Sequence, residues 1–319
     1  MRKVVLALLA VIIAAGGVVY FSVQAPQERA VTVGYGGVLA AEPLFIAIDK
    51  GFFAREGLDV TPVLFESSNA VTDALASGKL DAAFYGSTLP VFAAHSVSPG
   101  SVLVMGLSDM TLGYPVDSVL VRTNSSITSL KDLDGRRVGV YPGNTAANFM
   151  ARLLAANGVD TRRVEFVRMQ PANQLQALEA GAVDAVHTYE PVDSIALESG
   201  KARAIHNAVY GTVFPHTPLT GAYISGEFVK KRPRQAKAVA KVLYSSYEFM
   251  RANDKESREI AAKWLKLKPE IAGRMHFIYE VPASQYDAGR LQAFADLLYE
   301  TGDLKQRINA SETIYAPNG

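Results

Sequence analysis

The hydrophobic and polar positions of this chain follow a pattern that occurs twice. The motif A-L-x-x-G-x-x-D-A stands at residues 74–82 and again at 177–185. In each copy an Ala/Leu-rich run ends at a glycine, Gly78 or Gly181, as helices commonly do. The apolar run that follows is typical of a buried parallel strand. The pattern therefore predicts the unit helix, tight turn, strand in both halves of the chain.

Further strands and loops surround both copies of this unit. A strand that ends in Tyr-x-Gly precedes each copy, at 31–37 and 137–143, and a polar loop with a proline follows each, at 85–90 and 189–191. Open α/β sheets bind ligands at the carboxyl ends of their strands. We therefore expect an α/β protein of two similar lobes with a ligand cleft between them.

The remaining periodicity assigns the rest of the chain to the lobes. Apolar positions recur at three and four residues in 233–250, 255–267 and 284–301, which predicts helices with one buried face each. These helices pack most simply on the first lobe. We therefore expect residues 31–118 and 220–319 to form lobe 1 and residues 119–219 to form lobe 2. Chain crossings near 117–120 and 217–222 would then form a hinge.

Composition narrows the class of protein. The chain has 319 residues, 49% of them hydrophobic and 20% charged, with a net charge of +1, which suits a globular chain of about two domains. This charge balance argues against a nucleic-acid partner. There is no cysteine, and the five histidines lack metal-site spacing, so we expect no metal, no cofactor, no disulfide and no lipid-modified cysteine. The body is expected to be monomeric.

The first 25 residues are set apart as a signal peptide or an N-terminal membrane anchor. Arg2 and Lys3 precede an uncharged run from 4 to 23, which is longer than the apolar core of most signals and long enough to span a membrane. Cleavage after Ala25 would leave Pro26 at the new terminus. We favour an uncleaved tether, and either alternative places the body outside the cytoplasmic membrane.

Three segments carry a family resemblance. Residues 43–60, which read P-L-F-I-A-I-D-K-G-F-F-A-R-E-G-L-D-V, together with 78–81 and 129–140, resemble the nitrate, sulfonate and taurine-type solute-binding proteins of ABC importers. They also resemble the thiamine-pyrimidine-precursor proteins of the same type II periplasmic-binding fold. The resemblance covers about residues 31–310. It implies an extracytoplasmic receptor that closes on a small solute and presents it to a membrane permease.

The candidate ligand-binding residues stand in the loops after the strands, whereas the repeat aspartates Asp81 and Asp184 are expected to fix strand geometry. The residues 144–148 begin a helix directly after a strand, so free backbone N–H groups there suit an oxygen acceptor. The tyrosines beside these loops suit a flat slot. The candidates are Tyr35, Gly37, Ser67, Asn69, Gly86, Ser87, Thr88, Asn144, Thr145, Tyr189 and Glu190.

The charged residues near these loops indicate which charge the ligand carries. None of them contains Lys or Arg, whereas Glu42, Glu66 and Glu190 lie in or near them. A purely anionic solute would find helix dipoles and no counter-ion. This favours a zwitterion such as an aminosulfonate, or a nitrogenous heterocycle, over nitrate or bicarbonate. Glu190 is expected to bind the donor end of the ligand, with a surface or interlobe salt bridge as its alternative role.

Two other functions remain open at this point. Some enzymes of thiamine-pyrimidine synthesis share the lobe architecture, but they use histidine with a cysteine-rich motif, which this chain lacks. His187 stands three residues before Glu190 without a serine nucleophile motif, so no catalytic residue is assigned. The other alternative is a tethered sensory binding domain.

Overall fold

The computed structural model of the protein describes residues 29–113, 115–278 and 280–317. The predicted signal or anchor segment, residues 1–25, lies outside these ranges. Within these ranges, no helix combines the length and apolar character needed to cross a membrane.

The strands fall into two groups along the chain, with a return to the first group near the end. Their bounds are β1 Ala30–Tyr35, β2 Asp59–Leu64, β3 Ala82–Ala83, β4 Val102–Ser108, β5 Asp117–Arg122, β6 Arg137–Val140, β7 Glu165–Arg168, β8 Ala185–Tyr189, β9 Ala202–Asn207, β10 Gly221–Ser225 and β11 Glu280–Pro282.

These strands form two mixed sheets. The first sheet has the order β11-β4-β10-β3-β1-β2, and the second has the order β7-β6-β8-β5-β9. Each repeat strand has a parallel neighbour, since β3 pairs with β1 and β8 pairs with β6. Strand β10 returns to the first sheet and pairs antiparallel with β3 and β4. We call the first sheet with its helices the first lobe and the second sheet with its helices the second lobe.

The helices cover both lobes and extend the chain beyond β10. Their bounds are α1 Glu42–Asp49, α2 Phe52–Arg55, α3 Ser68–Ala76, α4 Thr88–Val97, α5 Thr145–Ala156, α6 Pro171–Glu179, α7 Val192–Glu198, α8 Val209–Val213, α9 Gly226–Lys231, α10 Pro233–Ala252, α11 Asp254–Leu265, α12 Pro269–Ala272 and α13 Ala288–Glu300.

The long helices after β10 pack on the first lobe. Helices α10 and α11 both contact α1, and the rings of Phe45 and Trp264 stack at 5.1 Å between α1 and α11. Helix α13 reaches further, because Phe294 contacts both Phe92 of the first lobe and Phe149 of the second at 6.3 Å. The tail of the chain therefore belongs to the first lobe and also bridges to the second.

The repeat aspartates have the structural role that their pattern predicts. Asp81 Oδ2 accepts hydrogen bonds from Thr32 N at 2.8 Å and Thr32 Oγ1 at 3.0 Å. Asp184 Oδ2 accepts from Arg137 N at 2.9 Å. In each lobe the aspartate thus ties the repeat unit to the start of the neighbouring strand.

Two boundaries differ from the sequence-based expectation. Strand β5 begins at Asp117, where Asp117 pairs with Tyr189 and Ser118 with Thr188, so both residues belong to the second sheet. The first-lobe segment therefore ends earlier than residue 118. Residues 88–90, expected as the end of a polar loop, instead begin helix α4, which tolerates Pro90 because backbone N–H groups in the first turn have no partner within the helix.

Candidate functional site

A cavity lies between the two lobes, and we call it the interlobe cavity. The first lobe contributes the loops after β1 and β3 and the start of α3, and the second contributes the loops after β6 and β8 and the start of α5. Its volume is about 70 Å³. This exceeds the space that a single water needs, so the cavity has room for a small solute.

The structure brings some of the predicted site residues together around this cavity. Those that line it come from both lobes, and they are Asn69, Gly86, Ser87, Thr145, Tyr189 and Glu190.

Other predicted residues lie beside the cavity and do not line it. Tyr35 packs its ring edge-on against Phe45 at 5.9 Å, and Gly37 is exposed in the bend after β1. Ser67 caps α3, because its Oγ accepts from Ala70 N at 3.3 Å.

Thr88 and Asn144 do not line the cavity either, and both form hydrogen bonds with other protein groups. Thr88 is fully buried and donates to Pro218 O, and its hydroxyl lies 3.1 Å from that of Tyr223. Asn144 is exposed at the start of α5, where its Oδ1 accepts from Arg168 Nη2 at 3.4 Å.

Four tyrosines form the walls of the interlobe cavity. The hydroxyls of Tyr85 and Tyr141 lie 2.7 Å apart and join the two lobes, while those of Tyr189 and Tyr210 lie 2.5 Å apart within the second lobe. Burial raises the pKa of Tyr85, Tyr189 and Tyr210 well above the usual value, so these phenols stay neutral. Tyr210 comes from a stretch rich in Gly, Pro and Thr that gave no sequence signal for a site.

The rings of Tyr189 and Tyr210, which form the tyrosine wall of the second lobe, pack against a buried histidine that is held by a hydrogen bond. His187 Nε2 lies 2.9 Å from Asp117 Oδ2, and the same oxygen accepts from Val209 N at 2.9 Å. The His187 ring lies 5.1 Å from the Tyr189 ring and 5.3 Å from the Tyr210 ring. His187 is fully buried behind this wall and does not line the cavity.

Two helices direct their N-terminal ends toward the cavity. Ser68 and Asn69 open α3 in the first lobe, and Thr145 and Ala146 open α5 in the second. The first N–H groups of a helix have no partner within the helix and carry a partial positive charge. This side of the cavity can therefore hold oxygen acceptors of a ligand.

Glu190 supplies the carboxylate of the cavity and is 2% exposed. Its Oε1 accepts from Ser194 Oγ at 2.9 Å and from His276 N at 3.1 Å, and its Oε2 accepts from Ser194 N at 3.3 Å. Its main-chain oxygen accepts from Leu39 N at 3.3 Å. Glu190 therefore caps α7 and also holds the second lobe to two segments of the first.

The charge of Glu190 depends on pH near neutrality. Burial raises the pKa of its carboxyl to about 7, and the hydrogen bond from the His276 backbone opposes this shift. Among the described residues that line the cavity there is no Lys or Arg. The cavity is thus neutral or negative, apart from the helix ends.

A cavity between two α/β lobes, lined by strand-end loops from both, is the arrangement of the two-lobed periplasmic-binding fold. The solved alkanesulfonate-binding protein SsuA from Xanthomonas axonopodis pv. citri, bound to MOPS, has this fold with a TM-score of 0.74. It is 22% identical, and the match covers 90% of this chain and 98% of that one. The chain belongs to the NMT1-like family, whose model matches residues 24–266.

Curated relatives agree with this assignment. A binding protein of Brucella abortus is 26% identical over 225 residues, which cover 70% of this chain and 67% of the relative. The taurine-binding periplasmic protein of Escherichia coli is 27% identical over 257 residues, with 80% and 75% covered. The predicted resemblance and fold are confirmed. The relatives support a solute-binding role, fit an extracytoplasmic location and give no support to the enzyme alternative.

Proposed function

We propose that this chain is the extracytoplasmic receptor of an ABC importer and delivers one small organic solute to a permease in the cytoplasmic membrane. The observation that carries the proposal is the interlobe cavity, which receives polar side chains and helix ends from both lobes. In this proposal residues 31–116 with 220–319, and residues 117–219, move as two units of a monomeric body, with the whole of β5 in the second lobe. Residues 1–25 tether it.

The acceptor end of the solute lies at the starts of α3 and α5. The backbone N–H groups of Asn69 and Thr145 and the hydroxyl of Thr145 offer donors there without a cation. The hydroxyl of Ser68 donates to Ser87 Oγ at 3.3 Å. A sulfonate or carboxylate group matches this set of donors. The taurine-binding relative supports a sulfonate.

The donor end of the solute lies at Glu190. An ionised carboxylate has about four acceptor positions, and Ser194 and His276 occupy three of them. The remaining position, on Oε2, can accept from an ammonium or a ring N–H. The solute class is therefore an aminosulfonate or a similarly small nitrogenous compound.

Calorimetry with two matched probes tests this assignment. Taurine and ethanesulfonate share the sulfonate and the two-carbon chain, and only taurine carries the amine. A charge-assisted hydrogen bond contributes roughly 1.5–3 kcal/mol, so above the Glu190 pKa of about 7 Glu190→Gln should weaken taurine by about one to two decades. Ethanesulfonate should bind the variant equally or more tightly.

The exposed Glu66 provides the matched control, because it lies beside α3 and Glu66→Gln removes the same charge outside the cavity. The Glu66→Gln variant should bind taurine and ethanesulfonate as tightly as the parent protein does. An equal loss for both probes in Glu190→Gln would assign Glu190 to holding the lobes together instead. An aminopyrimidine serves as the second probe for the heterocycle alternative.

A further inference from the structure

One end of the first lobe carries a concentration of basic side chains. From Glu227 to Lys237 the sequence has five Lys or Arg and one carboxylate, whereas the whole chain has 32 Lys or Arg and 31 Asp or Glu. This segment forms α9 and the first turns of α10, whose N-terminal end adds a partial positive charge. We define the basic patch as its four exposed cations, which are Lys230, Lys231, Arg234 and Lys237.

Most of the charge of the basic patch is available to a partner. Lys231 is paired with Glu227, with 2.6 Å between Nζ and Oε1. Within the described ranges, no carboxylate lies at ion-pair distance from Lys230, Arg234 or Lys237. These three side chains point into solvent, so an anionic partner can approach them without breaking an existing ion pair.

The basic patch lies where the chain enters the first lobe. Arg232 Nη2 donates to Ala30 O at 2.7 Å, which holds the start of α10 against the start of β1. Arg29 is exposed at the same edge and adds another cation, and its main-chain oxygen accepts from Asp59 N at 2.8 Å. The exposed Asp59 offsets one of these charges. The first described residue therefore stands beside the basic patch.

The length of the chain before Arg29 limits how far the basic patch can lie from a membrane. The uncharged run 4–23 ends six residues before Arg29. Six residues reach at most about 20 Å when fully extended, and the headgroup layer of a bilayer takes roughly 5–7 Å of that distance. With the proposed tether in the membrane, the basic patch is held within about two Debye lengths of the lipid headgroups.

The basic patch and the interlobe cavity lie at opposite ends of the first sheet. Strand β1 starts beside the patch at Ala30 and ends at Tyr35, before the loop that lines the cavity, and its six residues span roughly 17 Å. Strand β10 runs the other way, because Thr220 before it lines the cavity and Ser225 at its end precedes α9. A surface bound at the patch therefore leaves the cavity free.

We propose that the basic patch is a lipid-binding face, which holds the first lobe on an anionic phospholipid surface with the interlobe cavity directed away from the membrane. Lys and Arg bind phosphate groups, and the tether raises the local lipid concentration, so individually weak contacts suffice. The receptor collects its solute in this position and leaves the surface to present the cavity to a permease. This inference rests on the tether of the proposed function and not on the identity of the solute.

Fluorescence energy transfer from the full chain to labelled headgroups tests the proposal in vesicles of phosphatidylcholine, alone or mixed with phosphatidylglycerol. The chain has no cysteine, so one introduced cysteine carries the only donor. Ala76→Cys places it at the exposed end of α3, which contacts α9, and Ala180→Cys places it on the second lobe. Phosphatidylglycerol should increase transfer from position 76 and not from position 180, and high salt should remove the increase.

Two triple variants separate the basic patch from charge in general. Each basic residue near an anionic surface strengthens the contact about fivefold. The first variant should therefore lower the contact constant in phosphatidylglycerol vesicles by about a hundredfold, and it combines Lys230→Gln, Arg234→Gln and Lys237→Gln. The second removes the same charge from exposed positions outside the patch and should keep the contact, and it combines Lys131→Gln, Lys268→Gln and Lys305→Gln.

The possible failures are distinguishable. Equal transfer in the two kinds of vesicle, or an equal loss in the two triple variants, would overturn the lipid-binding face, and solute binding by the same proteins would still support the proposed function. Release of the full chain from both kinds of vesicle would overturn the tether and the lipid-binding face together. Transfer that depends on lipid charge in a protein that binds no solute would instead refute the receptor function alone.

Discussion

Gly36 is the position where a single methyl group should disturb the ligand cavity most directly. A Cβ added there would lie 2.6 Å from Cζ of Tyr85 and 2.9 Å from its Cε1, far inside van der Waals contact. Tyr85 is 4% exposed, and its hydroxyl lies 2.7 Å from that of Tyr141. The ring must therefore move within a packed site, and the interlobe hydrogen bond should break.

The size of the effect follows from these contacts. Overpacking a buried site typically costs about 1–3 kcal/mol, and the lost hydrogen bond accounts for roughly 0.5–1.5 kcal/mol. At about 2–4 °C per kcal/mol in a chain of this size class, Gly36→Ala should lower the melting temperature by several degrees. It should also weaken solute binding, because the displaced ring lines the cavity.

Gly37 supplies the control, because a Cβ there meets nothing within 4 Å. Gly37→Ala should melt and bind like the parent protein. Tyr85→Phe removes the hydroxyl alone and should reproduce only the smaller part of the loss. If Gly36→Ala and Gly37→Ala behave alike in both assays, the claim that Tyr85 positions the cavity wall is refuted.

Two further predictions concern Glu190 and Gly143. The carboxyl of Glu190 has a pKa of about 7 in the folded protein and an ordinary value of 4.5. Its protonated form therefore stabilises the folded state below pH 4.5, and this stability is lost as the pH rises through 7. Melting curves should therefore show the parent losing up to about 3 kcal/mol relative to Glu190→Gln over this range, and a flat difference would contradict the raised pKa. Gly143 has φ +104°, and a Cβ there would lie 2.8 Å from Asn69 Oδ1 of the opposite lobe. Gly143→Ala should lower both stability and solute affinity, whereas Gly158→Ala, at φ +80° with nothing within 4 Å, should lower stability alone; equal affinity in the two variants would count against interlobe contact at Gly143.

Local pattern was sufficient to predict the scaffold. The repeat at 74–82 and 177–185 placed β3 and β8 correctly, because each helix end, glycine turn and buried strand is encoded within ten residues. Strand-end loops then indicated Asn69, Ser87 and Thr145, which line the cavity in the structure. The general place of the interlobe cavity could therefore be predicted from the sequence.

Other parts of the site depend on distant contacts that no local pattern contains. Tyr210 reaches the cavity from the short helix α8, and Ile278 reaches it from an irregular segment, which lies there only because the tail returns to the first sheet at β11. Glu190 was recognised as important, yet its bond to His276 N joins residues 86 positions apart. The partners of a buried carboxylate are set by this tertiary arrangement.

The central claim is that the two lobes hold one small organic solute between them. Native mass spectrometry of residues 29–319, purified without denaturation, tests it most directly, with protein unfolded in guanidinium and refolded as the reference. The proposal predicts a mass excess of one small molecule per chain that is absent after refolding and returns when the solute is added. An unchanged mass in both preparations, with no binding of taurine, an aminopyrimidine or any alkanesulfonate, would contradict it.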